Sequence, residues 1–116
     1  MMHDKSALEN LLQGDKFGQI EFLEMFIDEV DTMIANIDDI CTNTTKEHLM
    51  SIHNMKSVAG YVGNQVLSQL ACDLQSFMMK NPGVPIPSDK KSTLIQLLKD
   101  CRQLDSEHLM ELKAGL

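Results

Sequence analysis

Apolar side chains recur at steps of three and four residues along most of the chain, and this period limits the possible fold more than any other feature. It is clearest from about Lys16 to Thr42. The residues that carry it there are Ile20, Leu23, Ile27, Val30, Ile34, Ile37 and Cys41. Such spacing places them on one face of a single long helix. All three prolines lie between Pro82 and Pro87, so proline interrupts no other stretch.

Capping residues and glycines predict where the first helices begin and end. A short helix is expected over Ser6–Leu12, ended by Gly14, and Asp15 is the expected N-cap of the long helix. The segment Thr44–Glu47 has the T-x-x-E pattern of a capping box, which predicts a helix over about 45–62. The inward residues of that helix are Ile52, Met55, Ala59, Val62 and Val66.

Two further helices complete the pattern. Asn64 is expected to cap a helix whose inward residues are Leu67, Leu70, Leu74 and Phe77. Residues 81–87, NPGVPIP, predict a loop, and Ser88 is expected to cap the last helix. The inward residues of that last helix are Leu94, Leu98, Cys101, Leu104, His108 and Leu112. Residues 1–116 are therefore predicted to form one all-α domain, an up-down antiparallel four-helix bundle with a short additional N-terminal helix.

The long helix carries a second apolar stripe, about a third of a turn from the first. Its members are Phe22, Phe26, Met33 and Ile40. One interpretation is that the short N-terminal helix covers this stripe. The other is that part of it, with Phe22 and Phe26, stays exposed as a docking surface for a partner. Both can hold together.

Charge and cysteine content exclude several classes of function. The net charge of −7 and the lack of a basic run argue against binding to nucleic acid or to an anionic membrane. No stretch is long and apolar enough to span a membrane, and the first residues lack the apolar core of a signal peptide. The three cysteines, Cys41, Cys72 and Cys101, are widely spaced and odd in number, so we expect buried free thiols rather than disulfides or zinc ligands. The expected setting is the reducing cytoplasm, and the start MMHDK favours a free-standing protein.

The segment around His53 holds the residues best suited to chemistry. His53 is expected at the edge of the buried face, since it follows the inward Ile52 by about 100° of helical rotation. Lys56 and Ser57 share its face, and Gly60 lies two turns further along. A neutral imidazole is a nucleophile near neutral pH, a lysine can pair with a phosphoryl group, and small neighbours leave room for a partner to approach. The chain has no nucleotide-binding glycine loop, so it is not expected to act as a kinase by itself.

These residues resemble the signature of the histidine-phosphotransfer (HPt) domain family, and the number and lengths of the predicted helices agree with it. The signature has His, an apolar residue at +2, Lys at +3, small residues at +4 and +7, and Gly at +10. The matching residues are His53, Met55, Lys56, Ser57, Gly60 and Gly63. Leu67, Leu70, Leu74 and Gln75 resemble the family's continuation in the next helix. Ser57 stands where many members have Gly, and small LuxU-type phosphorelay proteins share the serine.

The resemblance implies a function in bacterial two-component signalling. His53 would accept a phosphoryl group on Nε2, Lys56 would contact that group, and Gln75 would orient the ring. The partners would be response-regulator receiver domains and a hybrid sensor histidine kinase, with docking through Ser57, Gly60 and Gly63. The chain would need no cofactor of its own, because the receiver supplies magnesium. We expect a monomer, because a symmetric dimer across this face would block the histidine.

Two other classes of function fit the sequence less well. The dimerisation helices of histidine kinases place an acidic residue and soon a proline after the histidine, whereas Asn54 follows His53 here. A helical adaptor without phosphoryl chemistry is the other alternative, and it predicts that His53→Gln leaves the partner function intact. His3, His48 and His108 lack such surroundings, and His48 stands five residues before His53, the wrong spacing for a shared metal on one helix.

Overall fold

The chain is described by a computed structural model over residues 4–116, and these residues form helices and connecting turns with no strand. The helices are α1 (Lys5–Leu11), α2 (Lys16–Ala35), α3 (Ile37–Thr42), α4 (Lys46–Tyr61), α5 (Gln65–Lys80) and α6 (Ser88–Ala114). Helix α4 packs along α5 and α2 packs along α6, while contacts of α2 with α4 and of α5 with α6 close the bundle. The predicted four-helix bundle with a short additional helix is confirmed.

The predicted long helix is interrupted once, at Asn36, which separates α2 from α3. Asn36 has φ −107° and ψ 10°, and its side-chain amide donates to the Thr32 carbonyl oxygen at 2.9 Å. An asparagine side chain can compete in this way for the backbone hydrogen bonds that would continue a helix. The apolar stripe nevertheless continues, since Ile37 and Cys41 are buried on the far side of the break.

The helix caps differ from prediction by one residue at two places. The N-cap of α4 is Thr45, whose hydroxyl accepts a hydrogen bond from the His48 backbone N–H at 3.1 Å. The predicted Thr44–Glu47 capping box is therefore wrong. Helix α6 begins at Ser88 with Pro87 as its N-cap, so Ser88 does not cap it. Asp15 does occupy the N-cap position of α2, although its side chain makes no capping hydrogen bond.

The turn between α4 and α5 depends on Gly63 and Asn64. Gly63 has φ +80°, and a Cβ atom there would lie 2.3 Å from the Asp4 carbonyl oxygen. Only glycine fits this left-handed position without strain and without a clash. Asn64 caps α5 as predicted, because its side-chain oxygen accepts from the Leu67 backbone N–H at 3.1 Å. The chain before α1 closes this end of the bundle, where the Asp4 N–H donates to the Gly63 carbonyl at 3.2 Å.

One continuous core fills the space between the helices. Its largest fully buried side chains come from α1, α2, α4, α5 and α6, and they include Leu8, Leu23, Phe26, Ile52, Met55, Leu67, Met78, Leu94 and Leu98. The predicted loop over 81–87 is confirmed, and it is held to the bundle by the buried Ile86, whose N–H donates to the Cys41 carbonyl at 2.8 Å. Val66, by contrast, is exposed rather than inward. No helix within residues 4–116 combines the length and apolarity needed to cross a bilayer.

Candidate functional site

His53 lies on the solvent side of α4, beside the boundary with α5. The neighbouring Ile52 and Met55 are fully buried, which fixes the rotation of α4 about its axis. His53 and Asn54 between them are therefore directed outwards, and both are exposed. The predicted position of the imidazole at the edge of the buried face is confirmed.

Gln75 on α5 holds one nitrogen of the imidazole. Its side-chain Nε2 lies 3.1 Å from Nδ1 of His53, across the boundary between the two helices. The buried Leu74 and Met78 fix the rotation of α5 and so bring Gln75 to this edge. Among residues 4–116, Nε2 of His53 has no hydrogen-bond or ion-pair partner. The ring is thus held on one side and left available to solvent on the other.

An amide can serve either tautomer of the ring. When Gln75 donates, Nδ1 accepts and a neutral ring carries its proton on Nε2. When the amide is turned by 180°, its Oε1 accepts from a protonated Nδ1, and the lone pair of the neutral ring is then on Nε2. The second arrangement makes the exposed nitrogen the nucleophile.

The groove between α4 and α5 consists of two separate depressions of different chemistry, here called its halves, and His53 lines one of them. One half, here called the polar half, is lined by Lys56, Ser57, Gly60, Tyr61, Gln65, Ser68, Gln69 and Cys72. The other, the methionine half, is lined by Lys46, Leu49, Met50 and Met79 together with His53 and Gln75. The predicted neighbours Lys56, Ser57 and Gly60 therefore come together on one side of the histidine. Helix α5 supplies the opposite wall, which the local spacing on α4 did not predict.

Small residues keep the polar half open. A Cβ atom on Gly60 would meet only Ser68 Oγ, at an ordinary contact distance of 3.7 Å. Ser68 lines this half of the groove, and its hydroxyl donates to the Lys56 carbonyl oxygen at 2.8 Å. This hydrogen bond links α5 to α4 one turn beyond His53.

The ammonium group of Lys56 is uncommitted in the part of the chain that the structure describes. Four other cationic side chains there form ion pairs with carboxylates, and these pairs are Lys5–Glu111, Lys91–Asp38, Arg102–Asp31 and Lys113–Glu24. Lys56 is half-buried and has no such partner among these residues. A cation next to a histidine and unpaired with a carboxylate is suited to an incoming anion.

Two of the predicted docking residues do not lie on an accessible surface. Phe26 is fully buried in the core, so the prediction that it contacts a partner is wrong. Gly63 is also buried, and its role is the turn between α4 and α5. Phe22 is half-buried and makes an edge-to-face contact with Tyr61, with ring centroids 6.0 Å apart. Tyr61 is 48% exposed and extends the surface beyond Gly60.

Sequence reasoning missed Tyr61, Met50 and Met79. The first two had a local signal, because Met50 lies one turn before His53 and Tyr61 two turns after it on the same helix. Met79 belongs to α5, and only the packing of that helix brings it beside His53.

The remaining histidines have structural surroundings. The Nδ1 atom of His48 contacts the Asn43 carbonyl, and its Nε2 lies 3.1 Å from Asp39, so its ring links α3 to α4. His108 is buried, and burial lowers the pKa of its imidazole. The prediction for His3 lies outside the described residues. Within residues 4–116 no three His, Cys, Asp or Glu side chains are grouped so that they could hold a metal ion.

The cysteines match their prediction only in part. Cys41 and Cys101 are buried free thiols, and burial raises the pKa of each. Cys72 is free but only half-buried, and it lines the polar half of the groove. The prediction of a buried thiol is therefore wrong for Cys72.

Comparison with known proteins identifies the family. A model of the Hpt domain matches residues 21–107, a range that contains α4, α5 and the whole groove around His53. Searches of curated proteins and of solved structures gave no match. Because the family model covers well over half of the chain, this protein belongs to the Hpt domain family, whose members transfer phosphoryl groups on histidine in phosphorelay signalling.

Proposed function

We propose that this Hpt domain carries the phosphoryl group on Nε2 of His53 and passes it between the aspartates of two receiver domains. The observation that supports the proposal best is the state of the imidazole. Gln75 binds Nδ1, while Nε2 is exposed and has no partner among the described residues. A nucleophile needs a fixed ring with an accessible lone pair, and Nε2 has that lone pair when Oε1 of Gln75 faces Nδ1.

The transfer is an in-line displacement at phosphorus. A receiver with a phosphorylated aspartate docks over the groove, and Nε2 of the neutral ring attacks the phosphorus. The Nε2–P bond forms while the bond from phosphorus to the aspartyl oxygen breaks, which releases the receiver's carboxylate. The proton stays on Nδ1, which donates a hydrogen bond to Oε1 of Gln75. The reverse reaction with a second receiver returns the phosphoryl group to an aspartate.

Lys56 supplies positive charge on the side of the histidine where the polar half of the groove begins. The phosphoryl group adds about two negative charges to the site. An unpaired ammonium group one helical turn from the histidine stabilises that charge in the transition state and in the phosphorylated product. Ser57 and Gly60 keep the approach to the ring open.

The partners follow from the chemistry that the chain lacks. The sequence contains no nucleotide-binding loop, so the phosphoryl group comes from a receiver domain, including that of a hybrid sensor histidine kinase. The receiver also brings magnesium in its own acidic pocket. We propose that the domain acts as a monomer in the cytoplasm of a bacterium, since pairing across the α4–α5 groove would cover His53.

The test is transfer from a labelled receiver. The protein is incubated with a purified receiver domain that carries radioactive phosphate on its aspartate, and the label on each chain is followed with time. We expect label on this chain that is stable to base and labile to acid, as a phosphohistidine is. His53→Gln is the matched variant, because its amide can still pair with Gln75 but cannot accept the phosphoryl group.

The same experiment separates the proposal from the adaptor alternative. Label that persists on the His53→Gln variant would place the acceptor elsewhere. No label on the wild-type chain from any member of a broad panel of receivers, with binding to one of them retained, would favour an adaptor without phosphoryl chemistry. Circular dichroism of both chains confirms that the fold is kept.

A further inference from the structure

A cavity of about 200 Å³ lies between the last turns of α2, the short α3 and the first turns of α4. Helix α4 contributes His48 and Ser51 to its lining. Ser51 and His53 are two residues apart, so their side chains leave α4 in directions about 160° apart around its axis. The cavity therefore opens on a different face of α4 from the reactive histidine, and it has no part in the phosphotransfer proposed above.

The cavity has an apolar floor and a polar rim. Met33 and Ile40 line it and are buried, so they form the floor. Glu29 and Asn36 line it and are exposed, so they stand at the rim. Pockets for drug-sized ligands measure roughly 300–1,000 Å³. This smaller cavity suits a polar group of a few heavy atoms that is joined to a short apolar stem.

The hydrogen bonds of the rim leave it mainly with acceptors. The side-chain amide nitrogen of Asn36 donates to the Thr32 carbonyl oxygen at 2.9 Å. Because a carbonyl can only accept, the amide oxygen of Asn36 is the atom that has no partner among residues 4–116. The hydroxyl proton of Ser51 is used in the same way on the Glu47 carbonyl oxygen, at 3.1 Å. The lone pairs of the Ser51 hydroxyl remain available to a donor.

Glu29 adds a negative charge to these acceptors. Its carboxylate has no ion-pair partner in the part of the chain that the structure describes. His48, the basic residue of the lining, is already occupied on both ring nitrogens. Its Nδ1 contacts the Asn43 carbonyl oxygen, and its Nε2 lies 3.1 Å from Oδ2 of Asp39. The cavity therefore presents unused oxygen acceptors and one carboxylate to a molecule that enters it.

This combination favours an organic cation with several N–H donors. Divalent calcium and magnesium ions take six or more oxygen ligands, and Glu29 is the single carboxylate among the described residues of the lining. A guanidinium group has five N–H donors in one plane, and it pairs with a carboxylate through two parallel hydrogen bonds. It is also more weakly hydrated than an ammonium group, so it enters a partly apolar cavity more readily.

We propose that this cavity binds an alkylguanidinium group. The guanidinium plane pairs with the carboxylate of Glu29, and its outer N–H groups donate to the oxygens of Asn36 and Ser51. The alkyl stem lies on Met33 and Ile40. The group belongs either to a free small guanidinium compound or to an arginine side chain, since both have this chemistry. The site is independent of the phosphoryl transfer on His53 and goes beyond it.

The experiment is a titration followed by NMR. Ethylguanidinium chloride is added to the ¹⁵N-labelled protein at constant ionic strength, far below denaturing concentration. We expect saturable shifts of the Asn36 side-chain amide and of the Ser51 backbone amide. Tetramethylammonium, which has the same charge but no N–H donor, should cause no saturable shift at these positions. N-acetylarginine amide tests the second source: saturable shifts with it support an arginine side chain as ligand, and shifts with ethylguanidinium alone support a free compound.

Two matched variants test the charge at the rim. Glu29→Gln should weaken the binding of ethylguanidinium about tenfold or more, the usual loss when a hydrogen bond to a charged group is removed. Glu21→Gln removes the same charge from the same helix, and Glu21 is exposed outside the lining of the cavity. The Glu21→Gln variant should bind like the wild type.

Three results would overturn the inference. They are shifts that rise without saturation, an equal response to tetramethylammonium, and equal weakening by the two variants. Each of them would indicate general attraction of cations to a chain of net charge −7 rather than a site. Phosphotransfer to His53 should be equal in Glu29→Gln and the wild type, so a failure of this site and a failure of the proposed function are distinguishable.

Discussion

A carboxyl group buried at the α6 side of the core should make the stability of this protein fall as the pH rises towards neutrality. Asp105 is completely buried, and the thiol of Cys101 donates to its Oδ2 at 3.3 Å. Burial raises the pKa of Asp105 from 3.8 to about 7, against the smaller opposing effect of the Cys101 hydrogen bond. Between these two pKa values the unfolded chain is ionised at this position while the folded chain holds the proton.

The direction and size of the effect follow from that difference. The folded state binds more protons than the unfolded state, so each unit of pH in this interval lowers the free energy of unfolding by about 1.4 kcal/mol. From pH 5 to pH 8 the loss amounts to about 3 kcal/mol, because it levels off once the folded group also ionises. The contribution of the protonated Asp105 to the free energy of unfolding is therefore largest at acidic pH.

The substitution Asp105→Asn removes this titration and keeps the size of the side chain. As the pH rises from 5 to 8, the free energy of unfolding of the variant should rise relative to that of the wild type by about 3 kcal/mol. Urea unfolding followed by circular dichroism measures both proteins at each pH. Asp28→Asn, on the exposed face of α2, controls for the general effect of removing a negative charge. A difference between Asp105→Asn and wild type that stays constant with pH, or that changes in the other direction, would refute the reasoning.

Three further predictions concern the α4–α5 hairpin. Gly63→Ala should lower the free energy of unfolding by about 3 kcal/mol, because it adds a clash to a left-handed backbone. Gly83→Ala is the control and should cost less, since Gly83 has φ +79° but nothing lies within 4 Å of its Cβ position. Equal losses in thermal unfolding would contradict the role of the clash. Thr45→Ala should lower the free energy of unfolding by about 1 kcal/mol through loss of the cap, and Thr44→Ala should change it little. A larger loss for Thr44→Ala than for Thr45→Ala would support the capping box predicted from the sequence. Gln75→Leu should slow single-turnover phosphotransfer by about tenfold with the fold retained, since the imidazole loses the partner of its Nδ1 atom; an unchanged rate would remove Gln75 from the mechanism.

Much of this protein could be predicted from the spacing of its residues. The steps of three and four predicted the helices, the run NPGVPIP predicted the loop, and Asn64 predicted the cap of α5. The position of His53 relative to Lys56, Ser57 and Gly60 was also predictable, because residues one turn apart on a helix must share a face. These features are local, since each depends on residues within one or two turns of the chain.

The tertiary structure decided which surfaces are accessible and which residues from distant segments meet. The stripe with Phe22 and Phe26 was ambiguous in sequence, and packing against the other helices buried Phe26 while Phe22 remained at the margin beside Tyr61. Gln75 and Met79 became neighbours of His53 only because α5 runs beside α4 in a particular rotation. The physical reason is that a periodic sequence sets the faces of each helix, whereas the burial of a face depends on the whole set of helices that pack against it. The sequence by itself determined the histidine and its helix, and the packing of α5 against α4 determined the groove in which that histidine stands.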